Sequence, residues 1–203
     1  MIVIVDYGMG NLNSIKRKLS QIGVDVIVSF NSMDILKADK LILPGVGHFK
    51  KAVENLKRLN LWDILNEMVL IKKKPVLGIC LGMQLMAKHS EEGDANGLGW
   101  FDADVIKFKV KDQLRYKVPH IGWNNAIVEK YSPLFKDTAQ DAMYYFTHSY
   151  YIKCFEKEDI LTTTEYDISF TSSIQKDNIF GTQFHPEKSH EWGKKLLLNF
   201  INV

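Results

Sequence analysis

Cysteine is scarce. Cys80 and Cys154 are the only two, and they form no Cys-x-x-Cys pair. That excludes a disulfide framework and makes a reducing cytoplasm the simplest setting. An excess of one charge is also missing: the net charge is +2, so composition supplies no general attraction to nucleic acid or to an anionic membrane. No apolar run approaches the ~20 residues needed to span a bilayer. The apolar start at residues 2–5 is short, lacks a basic flank and meets Asp6 at once, unlike a signal peptide. The six histidines are scattered, with no pair at helical or hairpin ligand spacing, so neither a metal nor another cofactor is expected. Repeats, low-complexity segments and linkers are absent as well, which reads as one domain over residues 1–203. What is present is ordinary globular composition, 46% hydrophobic and 25% charged, enough to bury a core without cross-links.

The first half alternates. Residues 2–5, 24–28, 41–43 and 75–79 read as buried strands. Between them, Ser14 can cap a helix with the apolar stripe Ile15, Leu19 and Ile22. Phe49, Val53 and Leu56 carry another, continued by Leu61, Leu65 and Met68. Residues 83–88 read as a further helix. The second half holds closely spaced strands at 100–110, 125–128, 144–147, 161–165, 169–175 and 179–184, then a helix bearing Trp192, Leu196 and Phe200. The expected class is α/β: a mostly parallel central sheet flanked by helices, with antiparallel strands in the C-terminal half.

Three segments carry chemistry. Gly78-Ile79-Cys80-Leu81-Gly82 follows an apolar strand and opens a helix, the pattern of a nucleophile elbow. There the helix N-terminus favours thiolate, and the amide N–H of Leu81 is placed to stabilise an oxyanion. A buried structural cysteine is the competing interpretation. His185-Pro186-Glu187 follows the last strand, and an extended segment would put His185 and Glu187 on one side, base and orienter for a thiol. Pro44-Gly45-Val46-Gly47 ends the third strand, where its glycines can turn an N–H toward a reacting oxygen, or simply make a turn.

Together these segments resemble class I glutamine amidotransferases, whose fold is flavodoxin-like. Within them the chain is most similar to the glutaminase subunits of imidazole glycerol phosphate synthase (the HisH family). The likeness runs over nearly the whole chain. It includes the stretch from Asp6 to Asn11, Val118-Pro119-His120-Ile121-Gly122-Trp123-Asn124, Tyr145-Phe146-Thr147-His148-Ser149-Tyr150 and the stretch from Gly181 to Ser189. The resemblance implies that Cys80 attacks the glutamine side-chain amide, His185 moves protons and Glu187 orients it. It implies that Val46 and Gly47 form the oxyanion strand and that Gln84, Glu92, His148, Ser149 and Tyr150 hold the substrate. It further implies that Asn11, Trp123, Tyr145 and Lys188 face a HisF-like cyclase/synthase subunit in a heterodimer that receives the ammonia. On the residues alone, Trp123 and Tyr145 read as core aromatics.

One departure stands out: His190-Glu191-Trp192-Gly193 follows Ser189, where histidine-pathway subunits more often carry a small or flexible residue. A related ammonia-supplying subunit of a surface-polysaccharide sugar amidotransferase therefore stays open beside histidine biosynthesis. Other classes are a stand-alone cysteine hydrolase and a non-catalytic interaction protein. A dinucleotide-binding reading of Gly8-Met9-Gly10 fails because Asn13 stands where the third glycine would pack.

Overall fold

The computed structural model describes residues 1–203. Its first half builds β1 (Ile2–Val5), α1 (Leu12–Gln21), β2 (Val26–Ser29), α2 (Ser32–Lys37), β3 (Lys40–Leu43), α3 (Phe49–Arg58), α4 (Leu61–Asn66) and β4 (Val76–Ile79). These four strands pair in parallel in the order β2-β1-β3-β4. Because successive strand residues face opposite sides, β1, β3 and β4 each feed two cores. Val3, Val5, Leu41, Leu43 and Val76 face one core, with Phe49, Val53 and Leu56 of α3 and Leu61 and Leu65 of α4. Ile2, Ile4, Ile42, Leu77 and Ile79 face the other, with Ile15 and Leu19 of α1. The Asn11 side chain caps α1 by accepting from the Ser14 N–H at 3.3 Å, so the cap lies at Asn11 rather than at Ser14.

The chain then makes α5 (Leu81–Gln84), β5 (Ala87–Ser90), β6 (Ala95–Asn96), β7 (Phe101–Lys107), β8 (His120–Asn125), β9 (Ile127–Val128), β10 (Met143–His148) and β11 (Tyr150–Cys154). It ends with β12 (Ile160–Tyr166), β13 (Ile168–Lys176), β14 (Ile179–Thr182) and α6 (His190–Ile201). β14 returns to lie parallel to β4, and β13, β11 and β7 extend the sheet antiparallel from there. Leu196, Leu197 and Phe200 of α6 pack on the same side as α1.

The expected helix at 83–88 is corrected. α5 is a single turn, and Ala87–Ser90 is a strand parallel to β7. The run Leu85-Met86-Ala87 is buried throughout, so its hydrophobicity carries no period that separates helix from strand. The 125–128 strand is also resolved differently: β8 and β9 belong to separate sheets. β8 and β10 form a two-stranded antiparallel ribbon of their own, with Trp123 opposite Tyr145 and His120 opposite His148.

Candidate active site

β4 delivers Cys80 at a sharp turn. The residue has φ +54 and ψ −111, a conformation that L residues rarely adopt and that costs ~1–3 kcal/mol. Its neighbours impose it. The Cys80 N–H donates to the Thr182 carbonyl of β14 at 2.7 Å. On the other side the chain passes so close to β3 that a Cβ on Gly82 would stand 1.8 Å from the Leu43 carbonyl oxygen. The strain is thus held by two flanking strands. The helix beyond it has one turn, so its dipole is a smaller aid to the thiolate than a longer helix would provide.

His185 reaches Cys80 because β14 is parallel to β4 and in register with it, Thr182 opposite Ile79. The expected extended His-Pro-Glu segment is corrected. Pro186–Lys188 is a 3-10 turn, and it folds Glu187 back so that the His185 Nδ1–H donates to Oε1 at 2.8 Å. Both side chains are buried, 2% and 1% exposed, which excludes water as a competing partner. Burial alone would lower the pKa of His185; the adjacent Cys80 sulfur and the Glu187 carboxylate outweigh it and raise it to about 10. The Nε2 atom is buried and has no conventional hydrogen-bond partner, so the sulfur is its electrostatic neighbour. A thiol, an imidazole and a carboxylate in this series can carry nucleophilic catalysis with proton transfer. Cys154 offers nothing comparable: burial and Asp159 push its thiol up to about 12.

Cys80 opens onto a cavity of ≈ 320 Å³. Val46, Gly47, Leu81, Gln84 and Glu92 line it, as do His148, Ser149 and Tyr150 from the far side. His185 and Glu187 lie behind the sulfur and do not line it. The Leu81 N–H, the expected oxyanion donor, is engaged: it donates to the Gly45 carbonyl at 3.3 Å. Gly47, with φ +114, sits at the mouth in a conformation natural to glycine. Tyr7, which the sequence did not single out, anchors this loop by donating its hydroxyl to the Pro44 carbonyl at 2.5 Å.

Gln84 donates through Nε2 to the Tyr150 carbonyl and to Gln183 Oε1, both at 3.0 Å, which leaves its amide oxygen for a ligand. Glu92 Oε2 accepts from the Phe49 N–H at 2.8 Å and so caps α3. His148 faces the ribbon more than the cavity. Its Nδ1–H donates to the Tyr150 carbonyl at 2.8 Å, and its Nε2 lies 3.2 Å from His120 Nδ1. Burial lowers the pKa of His120 to about 4 and that of His148 to about 3, so both rings are neutral.

The four residues expected to face a partner subunit divide. Trp123 is 42% exposed, so the core-aromatic reading fails for it: the ribbon projects it outward. It meets the Tyr145 ring edge-on at 5.9 Å, and Lys188 Nζ stands 5.5 Å from the same ring. His190 stacks on Trp123 at 4.8 Å, a contact the sequence did not suggest. Asn11 makes no contact with this group in the hydrogen bonding and serves as the α1 cap.

The model of the family "Glutamine amidotransferase class-I" matches residues 3–203. A protein of Methanococcus maripaludis named imidazole glycerol phosphate synthase subunit HisH 2 is 51% identical, over 99% of this chain and 98% of its own. One of Campylobacter jejuni, named subunit HisH 1 of the same synthase, is 47% identical over the full length of both. Among solved structures, a glutamine amidotransferase superposes with TM-score 0.77 at 17% identity, covering 100% of this chain and 98% of the other. PurLQS from Thermotoga maritima gives 0.73 at 16% identity, covering 99% and 97%.

Proposed function

Because the chain belongs to the class I glutamine amidotransferase family, we propose that it is the glutaminase subunit of an imidazole glycerol phosphate synthase. It hydrolyses L-glutamine to glutamate and ammonia, and a cyclase/synthase partner uses the ammonia to make imidazole glycerol phosphate and AICAR in histidine biosynthesis. Residues 1–203 act as one amidotransferase domain. The partner is a HisF-like subunit in a cytoplasmic heterodimer. No helix is long and apolar enough to cross a membrane.

The observation that carries the reading is the series Cys80, His185, Glu187, of which the Cys80 sulfur end opens onto the cavity. Cys80 sulfur attacks the side-chain amide carbon of glutamine. His185 gives its proton to the departing ammonia, leaving a thioester. A water molecule, deprotonated by His185, then attacks the thioester carbon, and glutamate leaves as the sulfur regains its electron pair. Glu187 holds the imidazole by Nδ1 throughout. The developing oxyanion takes the Leu81 N–H and a second N–H from the Val46-Gly47 segment, so the Gly45 carbonyl must first release Leu81. Glu92 and the amide oxygen of Gln84 bind glutamine from the cavity wall, with the Ser149 and Tyr150 backbone opposite. Trp123, Tyr145, Lys188 and Asn11 form the partner rim.

The test is reconstitution with the cyclase subunit. Cys80→Ser abolishes synthesis driven by glutamine and leaves synthesis driven by ammonia intact. Glutamine hydrolysis by Cys80→Ser at near wild-type rate overturns the assignment. Failure of the wild-type pair to form imidazole glycerol phosphate from either nitrogen source removes the histidine pathway and leaves another acceptor.

A further inference from the structure

Gln183 lies beside the nucleophile, and the mechanism above does not use it. Its side chain is 0% exposed. Its Nε2 stands 3.5 Å from Cys80 Sγ, and its Oε1 accepts from Gln84 Nε2 at 3.0 Å. Which end of a carboxamide faces which neighbour must be argued from the partners. Here a backbone carbonyl settles it. The Tyr150 carbonyl can only accept, so the Gln84 amide must turn its nitrogen toward it. Reversing Gln84 would set two oxygens against each other. With the Gln84 nitrogen fixed, its second hydrogen points at Gln183, whose oxygen must receive it. The nitrogen of Gln183 is then left facing sulfur. His148 adds a second donor to the same Tyr150 carbonyl at 2.8 Å, which holds that carbonyl in place.

We propose that Gln183 is a further catalytic residue: its carboxamide N–H donates to the Cys80 sulfur and stabilises the thiolate, in an orientation imposed by Gln84. A thiolate accepts this bond better than a thiol, so the bond favours the reactive form. The sulfur loses its negative charge when it bonds to the amide carbon and regains it when the thioester breaks. Gln183 therefore assists each step in which the thiolate is present or re-formed. The inference rests on Cys80 being the nucleophile.

The experiment measures alkylation of Cys80 by iodoacetamide against pH in the full chain bound to its partner, with Cys80→Ser as the blank. Gln183→Met keeps the volume and removes the donor. Loss of a hydrogen bond to a charged group moves the thiol midpoint up by about one to two pH units. Glutamine turnover near neutral pH falls with the thiolate fraction, by up to about a hundredfold, and recovers toward wild type as pH rises. Packing loss alone would not give that recovery. Gln183→Glu shifts the midpoint further, because a carboxylate repels the thiolate. The groups that titrate beside Cys80, His185 backed by Glu187 and Tyr7 beyond β1, are unchanged in all variants. Should Gln183→Met fail to fold, Gln84→Met carries the test, since it frees the Gln183 amide to turn and raises the same midpoint by a smaller amount. Alkylation profiles that coincide with wild type overturn the proposal while leaving the nucleophile in place. A Cys80→Ser chain that still hydrolyses glutamine overturns both.

Discussion

Lowering the pH from 7 to 5 should destabilise this chain through two rings, His120 and His148. Both are buried and neutral, with pKa values lowered to about 4 and about 3 by burial. Each returns to the ordinary value of about 6.5 when the chain unfolds. Between those limits the unfolded chain binds more protons than the folded one, so stability falls as pH falls. Each ring contributes about 2 kcal/mol between pH 7 and 5, or about 4 kcal/mol together, out of a total that is typically ~5–15 kcal/mol. Two other groups must be kept apart from them. His185 has its pKa raised, so its contribution is complete below about 6.5 and is lost only as pH rises toward about 10. Burial raises the pKa of Asp159, which acts in the opposite sense at low pH. Urea unfolding at intervals from pH 7 to 5 gives the proton uptake from the slope, about 1.4 kcal/mol per pH unit for each proton. The wild-type slope should approach two protons near pH 5. His120→Asn and His148→Gln should each remove one, whatever their absolute stability, because the slope counts protons and not contacts. A wild-type slope near zero, or equal slopes in all three proteins, refutes the reasoning.

Further outcomes concern the reaction. His185→Ala should lower steady-state glutamine turnover by ~10²–10⁴-fold, and Glu187→Ala by less, because water admitted to the space left by the shortened side chain can replace part of an orienter's role. The isolated chain should be slow, since the Gly45 carbonyl occupies the Leu81 N–H. Partner plus acceptor analogue should raise kcat by ~10²–10³-fold with little change in KM, and a free chain already at full rate would rule out that gate. Gly82→Ala should cost about 3 kcal/mol or more, because the new methyl would stand 1.8 Å from the Leu43 carbonyl; a melting temperature within a degree or two of wild type would contradict it.

The parallel half of the fold was legible because its strands are short apolar runs, the first stopped by Asp6 and the third by Pro44-Gly45. Cys80 was legible because the flanking glycines mark a tight turn. The parts that escaped have physical reasons. Ser32–Lys37 is a short helix with one buried residue, Ile35, so it shows almost no apolar stripe. Tyr150–Cys154 follows β10 after one residue, and the sequence offers no turn signal between them. Glu187 returns to His185 through a 3-10 turn, which the His-Pro-Glu triplet does not distinguish from an extended segment. Gln183 looked like any polar residue at the end of a strand. Its meaning depends on Gln84 and Tyr150, which only the folded chain brings beside it.

β4 and β14 are adjacent, yet the chain between them makes a long excursion that builds the cavity's far wall and the outward ribbon. The strand pair positions the sulfur, and the excursion adds an anchor for the imidazole, because the His185 N–H donates to the Tyr145 carbonyl of the ribbon at 2.9 Å. The exposed Trp123 side chain and the loop around residues 109–117 hydrogen-bond to neither member of the bond-making pair and can therefore change at little risk to it. A lineage built this way can change the protein it serves while inheriting its chemistry unaltered. The place to look for partner choice among its descendants is the exposed ribbon face around Trp123, and the place to look for loss of activity is the cavity wall, Glu92 and residues 148–150 included, together with Cys80 and His185.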